Sequence, residues 1–403
     1  MELSYIFMIC TVTILTLIVC AYLYNYFLTA SATFHQSPVT DNGIDLHGQL
    51  GDKDTINILV IDGGGIRGLI PLYVIKHLEK ELGRPVDEVF DVFSGVSTGA
   101  VIVTGLNVRS THLAKKYGSL DSKADLLIDL YKSKSNYLFS IPWYHKLLTG
   151  SGLFSPKYLG RRLHRVMEKH YSPELNFTDL KNYVIIPSLS VNTGKLHLFK
   201  NRGEDTSELP TNSLYQLVTA AVSGVTLFPP VGFMNKSESV SHKYFADAGL
   251  SANNPASVAL LDIIKEYPQK NYYVLILGSG TSPLTSSKVK YKDLKNWGRI
   301  RWARDAISSV QRSMDEQQLN TLEIAKLLSS NVKIKYNYLN VEVADPHVGI
   351  FDYHNIDSLE IHSDRLIKNN EESMQQVIDH LARGQEQEQE QEQEQEQEQE
   401  QAA

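Results

Sequence analysis

A serine lies between two glycines in the segment FDVFSGVSTGAVIV, where Gly95, Ser97 and Gly99 form the pattern G-x-S-x-G. The apolar residues before this pattern are typical of a buried strand, and those after it have helical spacing. Glycines on both sides permit the sharp strand-to-helix turn of a nucleophile elbow. Such a turn exposes the serine hydroxyl at a helix N-terminus, whose dipole favours developing negative charge. The pattern predicts a nucleophile, although small residues also occur in ordinary tight turns.

A second segment, NILVIDGGGIRGLIP at residues 57–71, places three consecutive glycines after an apolar run. The main-chain N–H groups of Gly63, Gly64 and Gly65 have no side chains in the way, so they can donate hydrogen bonds to an oxyanion. Arg67 adds a positive charge close by. Because acyl transfer to a serine needs such donors, this glycine loop and Ser97 are consistent with two halves of one hydrolase site.

The same loop also fits the dinucleotide-binding pattern G-x-G-x-x-G over residues 63–68. A dinucleotide site needs an acidic residue about twenty positions further on, at the end of the next strand. Asp87 and Glu88 lie near that distance, but they precede the predicted strand Val89–Phe93 instead of following it. A nucleotide-binding oxidoreductase is therefore the second interpretation, and it leaves Ser97 unexplained.

A conspicuous acid occurs in YFADAGLSANNPASVALL, where Asp247 ends a predicted strand and enters a turn with Gly249. Asn254 then caps the following helix and Pro255 opens it. Functional residues of α/β sheets lie at such strand ends, yet Asp247 is equally consistent with a plain turn residue. Spacing singles out none of the 13 histidines as a base for the serine.

The elements that must position these residues alternate along the chain. We predict strands and helices from short apolar runs and from helical periodicity, respectively. The predicted strands cover residues 56–61, 89–93, 183–191, 242–249 and 272–280, and the first two helices cover 69–82 and 98–108. This alternation predicts an α/β fold with a mostly parallel central sheet.

The N-terminal region differs from the rest, because Leu3 to Thr40 contains no aspartate, glutamate, lysine or arginine. Tyr5–Tyr24 is an apolar run of 20 residues, about the length of a transmembrane helix. We expect a single-pass membrane anchor over residues 1–28, followed by a linker over 29–54. A signal peptide cleaved near Ala32 is the alternative and implies secretion. A buried core helix is a third, weaker interpretation.

Glutamine and glutamate alternate from Gln385 to Gln401, and this composition predicts a disordered tail over residues 384–403. The tail holds 8 glutamates, so 46 − 8 = 38 acids face 39 bases elsewhere in the chain. This balance does not indicate a nucleic-acid partner. Both cysteines, Cys10 and Cys20, lie in the N-terminal apolar run, which excludes a disulfide framework or a cysteine zinc site in the remainder. We expect no metal or organic cofactor.

DGGGIRG, GVSTG and DAG…NNP occur in this order, and together they resemble the patatin-like phospholipase family. The resemblance covers residues 55–285 well and extends more loosely to about 380. It implies a three-layer α/β/α catalytic domain over residues 55–383 with a Ser97–Asp247 dyad and no catalytic histidine. It also implies an oxyanion hole formed by Gly63, Gly64 and Gly65, with Arg67 supporting it. Ala248 departs from the pattern, since family members often carry glycine there.

The resemblance implies a membrane-associated serine lipid acyl hydrolase that acts on glycerophospholipids or lysophospholipids through an acyl-enzyme on Ser97. A carboxylate of ordinary pKa, about 4, is a weak base at neutral pH, so Asp247 must be buried to serve as the base. The expected partner is a membrane lipid substrate. A nucleotide-binding oxidoreductase and a catalytically silent scaffold of the same fold stay open as alternatives.

Two aromatic and basic stretches, YLFSIPWYHKLL at 137–148 and KVKYKDLKNWGRIRW at 288–302, have a composition suited to contact with lipid. An ordinary helix with a solvated basic side and a buried aromatic side explains each stretch equally simply, and we favour that interpretation. The region Tyr131–Tyr158, which contains the first stretch, is the best candidate for a lid.

Overall fold

The computed structural model describes residues 5, 11–16, 18–20, 23–24, 33–35, 50–117, 122–203, 209–234, 242–284, 289–329, 332–345 and 348–384. The Gln/Glu tail beyond residue 384 and most of the linker predicted over 29–54 lie outside the described residues. Those two predictions therefore stay predictions.

The described strands form one nine-stranded sheet. The strands are β1 (Thr33–His35), β2 (Thr55–Ile61), β3 (Val92–Gly95), β4 (Tyr183–Ser190), β5 (Lys195–Lys200), β6 (Val231–Met234), β7 (His242–Asp247), β8 (Asn271–Leu277) and β9 (Ile334–Leu339). Their order across the sheet is β1-β6-β7-β4-β3-β2-β8-β9, and β5 pairs with β4 outside this path.

The centre of the sheet is parallel, as the alternation of strands and helices predicts. β9, β8, β2, β3 and β4 all pair in parallel. β7 instead pairs antiparallel with both β4 and β6, and β5 pairs antiparallel with β4. The sheet is therefore mixed, and its antiparallel part brings the end of β7 beside the parallel strands.

Helices cover both faces of the sheet. Along β2, Leu59 and Ile61 pack into one apolar cluster, whereas Ile58 and Val60 pack into another. A strand buried on both faces in this way belongs to the middle layer of three. The described helices are α1 (Leu69–Leu82), α2 (Val86–Val89), α3 (Thr98–Asn107), α4 (Ser110–Tyr117), α5 (Lys123–Phe139), α6 (Trp143–Leu148), α7 (Gly160–Tyr171), α8 (Leu214–Ala221), α9 (Ala256–Glu266), α10 (Tyr291–Leu294), α11 (Arg299–Leu328), α12 (Ser358–Asn369) and a final helix over 371–384.

The two layers of helices differ in size. The larger layer includes α1, α3, α5, α7 and α8, while α9 and α11 cover the opposite face. The helix predicted over 69–82 agrees with α1, and the one predicted over 98–108 agrees with α3 to within a residue.

The strand predicted over 89–93 begins three residues too early, because residues 86–89 form the helical turn α2. Pro85, at φ −64°, precedes this turn. The Val86 N–H donates to Glu79 Oε1 at 3.1 Å, and the Phe90 N–H closes the turn onto the Val86 carbonyl at 3.0 Å. Since these bonds fix the local backbone, an apolar valine at 89 ends a helix instead of starting a strand.

The predicted N-terminal transmembrane helix is wrong. Within the described parts of the chain, no helix combines the length and the apolar character that crossing a membrane requires. The single-pass N-terminal anchor, and the membrane localisation that rested on it, are therefore not supported.

Candidate active site

Ser97 occupies the turn between β3 and α3 with φ 56° and ψ −121°. This backbone conformation is rare for a residue with a Cβ atom, and such strain is typical of functional sites. The flanking glycines make the turn possible. A Cβ on Gly95 would lie 2.3 Å from the Gly99 backbone, and one on Gly99 would lie 2.2 Å from the Ile61 carbonyl oxygen. The G-x-S-x-G spacing therefore follows from the close approach of β2, β3 and α3.

Asp247 is the last residue of β7 and is only 6% exposed. Its carboxylate lies close enough to the Ser97 hydroxyl for that side chain to lower its pKa. Its Oδ1 also accepts the Gly249 N–H at 2.7 Å. Burial raises the pKa of Asp247 to about 6, against the opposing effects of Ser97 and of the Gly249 N–H. The group is thus a stronger proton acceptor than an exposed aspartate while still being largely ionised at neutral pH.

The glycine loop lies beside Ser97, and its amides are not equivalent. The Gly63 N–H donates to the Asn253 carbonyl at 3.1 Å. Among the described residues, no hydrogen bond engages the N–H groups of Gly64 and Gly65. The oxyanion-hole role of all three glycines stays a prediction, and for Gly63 it requires that the bond to Asn253 be given up.

The loop is made of glycines because it is enclosed on two sides. A Cβ on Gly63 would lie 2.5 Å from Asn253 Oδ1 and 3.4 Å from Ser97 Cβ. Gly65 has φ +58°, and a Cβ there would lie 2.2 Å from the Ile350 carbonyl oxygen. Ile350 also accepts the Ile66 N–H at 2.9 Å. The segment around Ile350 therefore covers the loop from the far end of the chain.

Arg67 is buried and holds this covering segment in place. Its Nε donates to the Val348 carbonyl at 3.0 Å, and its Nη2 donates to Ser282 Oγ at 2.7 Å. Burial lowers the pKa of Arg67 to about 10. Arg67 does not line the cavity at Ser97, so the support it gives the glycine loop in this structure is indirect.

A narrow cavity of about 90 Å³ opens beside the reacting groups. Ser97 and Asp247 line it together with Gly65, and the rest of its wall is mainly apolar. No histidine occurs among the residues that line it within the described parts of the chain. The apolar wall comes from α3, α5, α7, the loop after α8 and the C-terminal covering segment, and it includes Val101, Leu130, Leu138, Val166, Leu227 and Phe351.

Sequence reasoning missed Tyr131, which lines the cavity from α5. Its hydroxyl contacts Thr98 Oγ1 and donates to the Thr98 carbonyl at 3.2 Å. Thr98 follows the nucleophile, so this contact holds the first residue of α3 in position. Burial raises the pKa of Tyr131, which keeps the phenol protonated as a donor. No motif or spacing marks this tyrosine, because the contact joins α3 to a separate helix.

Three further side chains behind the glycine loop were also not identified from sequence. Burial raises the pKa of both Asp62 and Asp315, that of Asp315 to about 6. Asp315 accepts from the Asn254 N–H at 3.1 Å and from the Asn253 side chain. Tyr338 donates to Asp62 Oδ2 at 3.1 Å. Residues 253–255 (NNP) thus connect the glycine loop to α11. From the sequence, we predict only that Asn254 caps the following helix.

The acid needed by the dinucleotide interpretation is engaged elsewhere. Asp87 lies in α2, before β3, and pairs with Lys123 at 2.8 Å and with Lys181 at 3.0 Å. A ribose-binding acid belongs at the opposite, carboxyl end of the strand. The same glycine loop is meanwhile in contact with the Ser97 turn. The geometry therefore favours the hydrolase interpretation of the loop.

The fold and the site define a class of α/β protein with a serine–aspartate pair at the carboxyl ends of the central strands. Residues 59–260 match the profile of the patatin-like phospholipase family, which is half of the chain. The chain belongs to the patatin-like phospholipase family.

Individual relatives are distant. Patatin-like protein 3 of Arabidopsis thaliana is 27% identical over 284 residues, covering 63% of this chain and 65% of its own length. A cGAMP-activated phospholipase of Escherichia coli is 26% identical over 241 residues, covering 57% of this chain and 63% of its own length. The chain thus spans just under two thirds of the length of these relatives. The crystal structure of VipD from Legionella pneumophila aligns with 84% of this chain and 71% of its own, at 14% identity and a TM-score of 0.32, too loosely to support an argument.

Proposed function

We propose that this protein is a serine lipid acyl hydrolase that cleaves fatty acyl esters of glycerophospholipids or lysophospholipids, with Ser97 as nucleophile and Asp247 as base. The observation that carries the proposal is the proximity of the Ser97 hydroxyl and the buried Asp247 carboxylate in the wall of one mainly apolar cavity. Membership of the patatin-like phospholipase family supports the same reaction class.

In the acylation step, Asp247 takes the proton of the Ser97 hydroxyl as the oxygen attacks the ester carbonyl carbon. The carbonyl oxygen becomes an oxyanion, which the free N–H groups of Gly64 and Gly65 are suited to receive. The N-terminus of α3, immediately after Ser97, favours the same negative charge. When the intermediate collapses, Asp247 returns the proton to the leaving alcohol, and a fatty acyl ester stays on Ser97.

In the deacylation step, a water molecule takes the place of the departed alcohol. Asp247 accepts a proton from this water as its oxygen attacks the acyl carbonyl carbon. Collapse of the second tetrahedral intermediate breaks the bond to Ser97, whose oxygen recovers the proton from Asp247. The fatty acid leaves, and the two side chains return to their starting protonation states.

The proposed substrate class rests on the shape and polarity of the cavity. Apart from Ser97, Asp247 and a few other polar residues, its lining is apolar, so a hydrocarbon chain fits there with its ester beside Ser97. A relative that carries the name of a phospholipase supports glycerophospholipids over simpler esters.

Lipid product analysis with the wild type and Ser97→Ala side by side tests the proposal. We expect free fatty acid and a deacylated lipid from the wild type, and neither product from Ser97→Ala. Ser110→Ala, which removes an exposed hydroxyl at the start of α4, is the matched control and should keep full activity. Undiminished hydrolysis by Ser97→Ala would end the proposal. A folded wild type that neither hydrolyses lipid nor reacts with a fluorophosphonate probe would instead favour the silent scaffold.

A further inference from the structure

A cluster of large apolar side chains is exposed on α6 and the turn that follows it. We call these residues the apolar rim: Trp143, Tyr144, Leu147, Leu153 and Phe154. Trp143 is 77% exposed, Leu153 is 76% and Phe154 is 78%. Several large apolar side chains exposed within twelve residues of one another are a feature of surfaces that contact a partner or a membrane. The sequence interpretation in which these aromatic residues are buried is wrong for Trp143 and Tyr144.

The apolar rim is held by a fixed framework beneath it. His145 is fully buried, and its ring bonds to the Tyr24 hydroxyl at 2.8 Å and to the Pro156 carbonyl at 3.2 Å. The turn folds back on the helix, because the Phe154 N–H donates to the Thr149 carbonyl at 3.1 Å. The outward direction of the rim side chains is therefore set by the packing of their neighbours.

The apolar rim stands at the wall of the cavity that contains Ser97. Phe139, which lines that cavity, lies four residues before Trp143, the first residue of the apolar rim. Tyr158, which follows it, packs on Phe139 and Phe351 with ring centroids 5.3 and 5.7 Å apart. The Tyr158 N–H also donates to the carbonyl of Leu227, another cavity residue, at 2.8 Å. A ligand that covers the rim is thereby brought next to the cavity.

The charge of this region is opposite to that of the whole chain. Residues 131–167 contain seven lysines and arginines and no aspartate or glutamate, whereas the chain carries a net charge of −7. The basic residues are Lys132, Lys134, Lys146, Lys157, Arg161, Arg162 and Arg165. Some of them also have partners within the protein: Lys132 pairs with Asp357, Arg162 donates to the Tyr137 and Ser140 carbonyls, and Lys157 lies over the Tyr158 ring. Aromatic and aliphatic side chains beside basic ones fit a surface that presents hydrocarbon beneath negatively charged headgroups.

We propose that the apolar rim docks the folded protein peripherally on an anionic lipid bilayer. Trp143, Leu147 and Phe154 enter the boundary between headgroups and acyl chains, and the flanking lysines and arginines contact lipid phosphates. The role of docking in catalysis rests on the proposed function, because it brings a bilayer lipid to the cavity at Ser97. The docking itself needs no chemistry at Ser97, so the two proposals can fail separately.

The three tryptophans allow a direct test, since only Trp143 lies in the apolar rim. Trp297 and Trp302 lie 5.4 Å apart in the α10–α11 region, so Trp297→Phe/Trp302→Phe leaves Trp143 as the sole reporter. We expect its emission to shift to the blue and its quenching by acrylamide to fall on vesicles of phosphatidylcholine with phosphatidylglycerol. Emission that does not change on these vesicles would overturn the proposal.

A matched pair of double variants tests the apolar contribution by vesicle sedimentation, in the Ser97→Ala background so that lipid is not consumed. Leu147→Gln/Phe154→Gln should weaken vesicle binding by about tenfold or more, since two large apolar side chains no longer leave water. Leu327→Gln/Leu328→Gln alters two side chains at the end of α11 that are 80% and 79% exposed, and it should bind like its parent. Equal binding by the rim variant and its parent would refute the docking surface.

A matched pair of charge variants tests the choice of lipid. Lys146→Glu and Lys333→Glu change the net charge equally, but only Lys146 lies in the apolar rim segment. We expect Lys146→Glu to lose binding to anionic vesicles and Lys333→Glu to keep it. Added salt should weaken binding by the wild type. The alternative occupant of the rim is a second copy of the chain. That alternative would be supported if the wild type dimerises with increasing concentration, the rim variant does not, and neither binds vesicles.

The outcomes for docking and for catalysis are distinguishable. With Ser97 intact, the rim variant should hydrolyse a soluble short-chain ester like the wild type and lose hydrolysis of vesicle lipid. A wild type that inserts Trp143 into vesicles but hydrolyses no ester would refute the proposed function and leave the docking surface standing. If a folded rim variant lost hydrolysis of the soluble ester and of vesicle lipid equally, the rim would not act in docking alone.

Discussion

The Ser97 and Asp247 side chains meet in the wall of one cavity, and no histidine is among the described residues that line it. The serine belongs to a turn after a parallel strand, whereas the aspartate ends an antiparallel one. Their contact therefore depends on the mixed sheet, in which β7 pairs with β4 next to β3. In the proposed mechanism this places the whole task of proton transfer on one carboxylate, so its protonation state should govern the reaction.

Activity should rise with pH through the pKa of Asp247, which burial raises to about 6. The carboxylate is the form that accepts the serine proton, so protonation below about 6 removes the base and ionisation above it restores activity. We expect kcat/KM for a soluble ester to increase with pH and reach a plateau near neutrality. A limb centred near the usual aspartate value, about 4, would contradict a base whose pKa is raised by burial.

Asp247→Asn should abolish hydrolysis and, at pH 7, stabilise the fold. A folded-state pKa above the unfolded value means that stability is greatest below the unfolded pKa and falls as pH rises through about 6. Asparagine carries no charge to bury, so we expect the free energy of unfolding at pH 7 to increase by about 1–3 kcal/mol. Denaturant unfolding at pH 7 and pH 4 provides the measurement. The gain should disappear at pH 4, and a variant that is less stable than wild type at pH 7 would contradict it.

Ser97→Gly should be more stable than Ser97→Ala, although both lose the nucleophile. The backbone at this position has φ 56°, which glycine adopts freely and alanine does not. We expect a difference of about 1 kcal/mol or more in the free energy of unfolding. Thermal unfolding of the two variants side by side gives the comparison. Identical melting temperatures would argue that the elbow is not strained.

Gly65→Ala should cost more stability than Gly83→Ala, its matched control. Both glycines have positive φ, 58° and 66°, so alanine is strained at either position. A Cβ at 83 meets nothing within 4 Å, whereas one at 65 would meet the Ile350 carbonyl oxygen at 2.2 Å. We expect the excess loss at 65, roughly 1–3 kcal/mol, to come with reduced activity as the covering segment moves away. Equal losses in a denaturant titration would show that the two segments are not in close contact.

Arg67→Lys should destabilise the protein even though the charge is kept. The guanidinium reaches both the Val348 carbonyl and Ser282 Oγ, and a single ammonium group cannot reproduce that geometry. We expect a loss of about 1–3 kcal/mol in the free energy of unfolding, because buried hydrogen-bonding groups lose a partner. Proteolysis near residue 348 should also become faster. A lysine variant with wild-type stability and much lower kcat would instead indicate that Arg67 acts on the oxyanion.

The parts of the fold that sequence predicts well are those with a local cause. Leu69–Leu82 is a helix because its apolar residues recur at helical spacing, and Ser97 is at an elbow because glycines flank it. The strand predicted to begin at Val89 begins later, because residues 86–89 form a helical turn. The Glu79 side chain, which lies outside the predicted strand, fixes that turn. The N-terminal apolar run has the composition of a membrane span, but no helix among the described residues is long and apolar enough to cross a membrane.

The contacts that complete the site were beyond sequence reasoning for a different reason. Tyr131 meets Thr98, and Arg67 meets Val348, only after helices from distant parts of the chain pack together. Neither pair has a fixed spacing or a distinctive residue type. The exposure of Trp143 was equally hidden, since a tryptophan in an amphipathic stretch is more often buried.

The wall formed by Phe351 has an implication for substrate choice. This side chain belongs to a short stretch far beyond the family-matched residues 59–260, and it reaches the cavity because Ile350 and Val348 are bonded to the glycine loop. Substitutions in this stretch can therefore change the size of the cavity without altering the sequence motifs that define the family. Transplanting those few residues between homologues is a route to altered chain-length selectivity that leaves the bond-breaking apparatus intact.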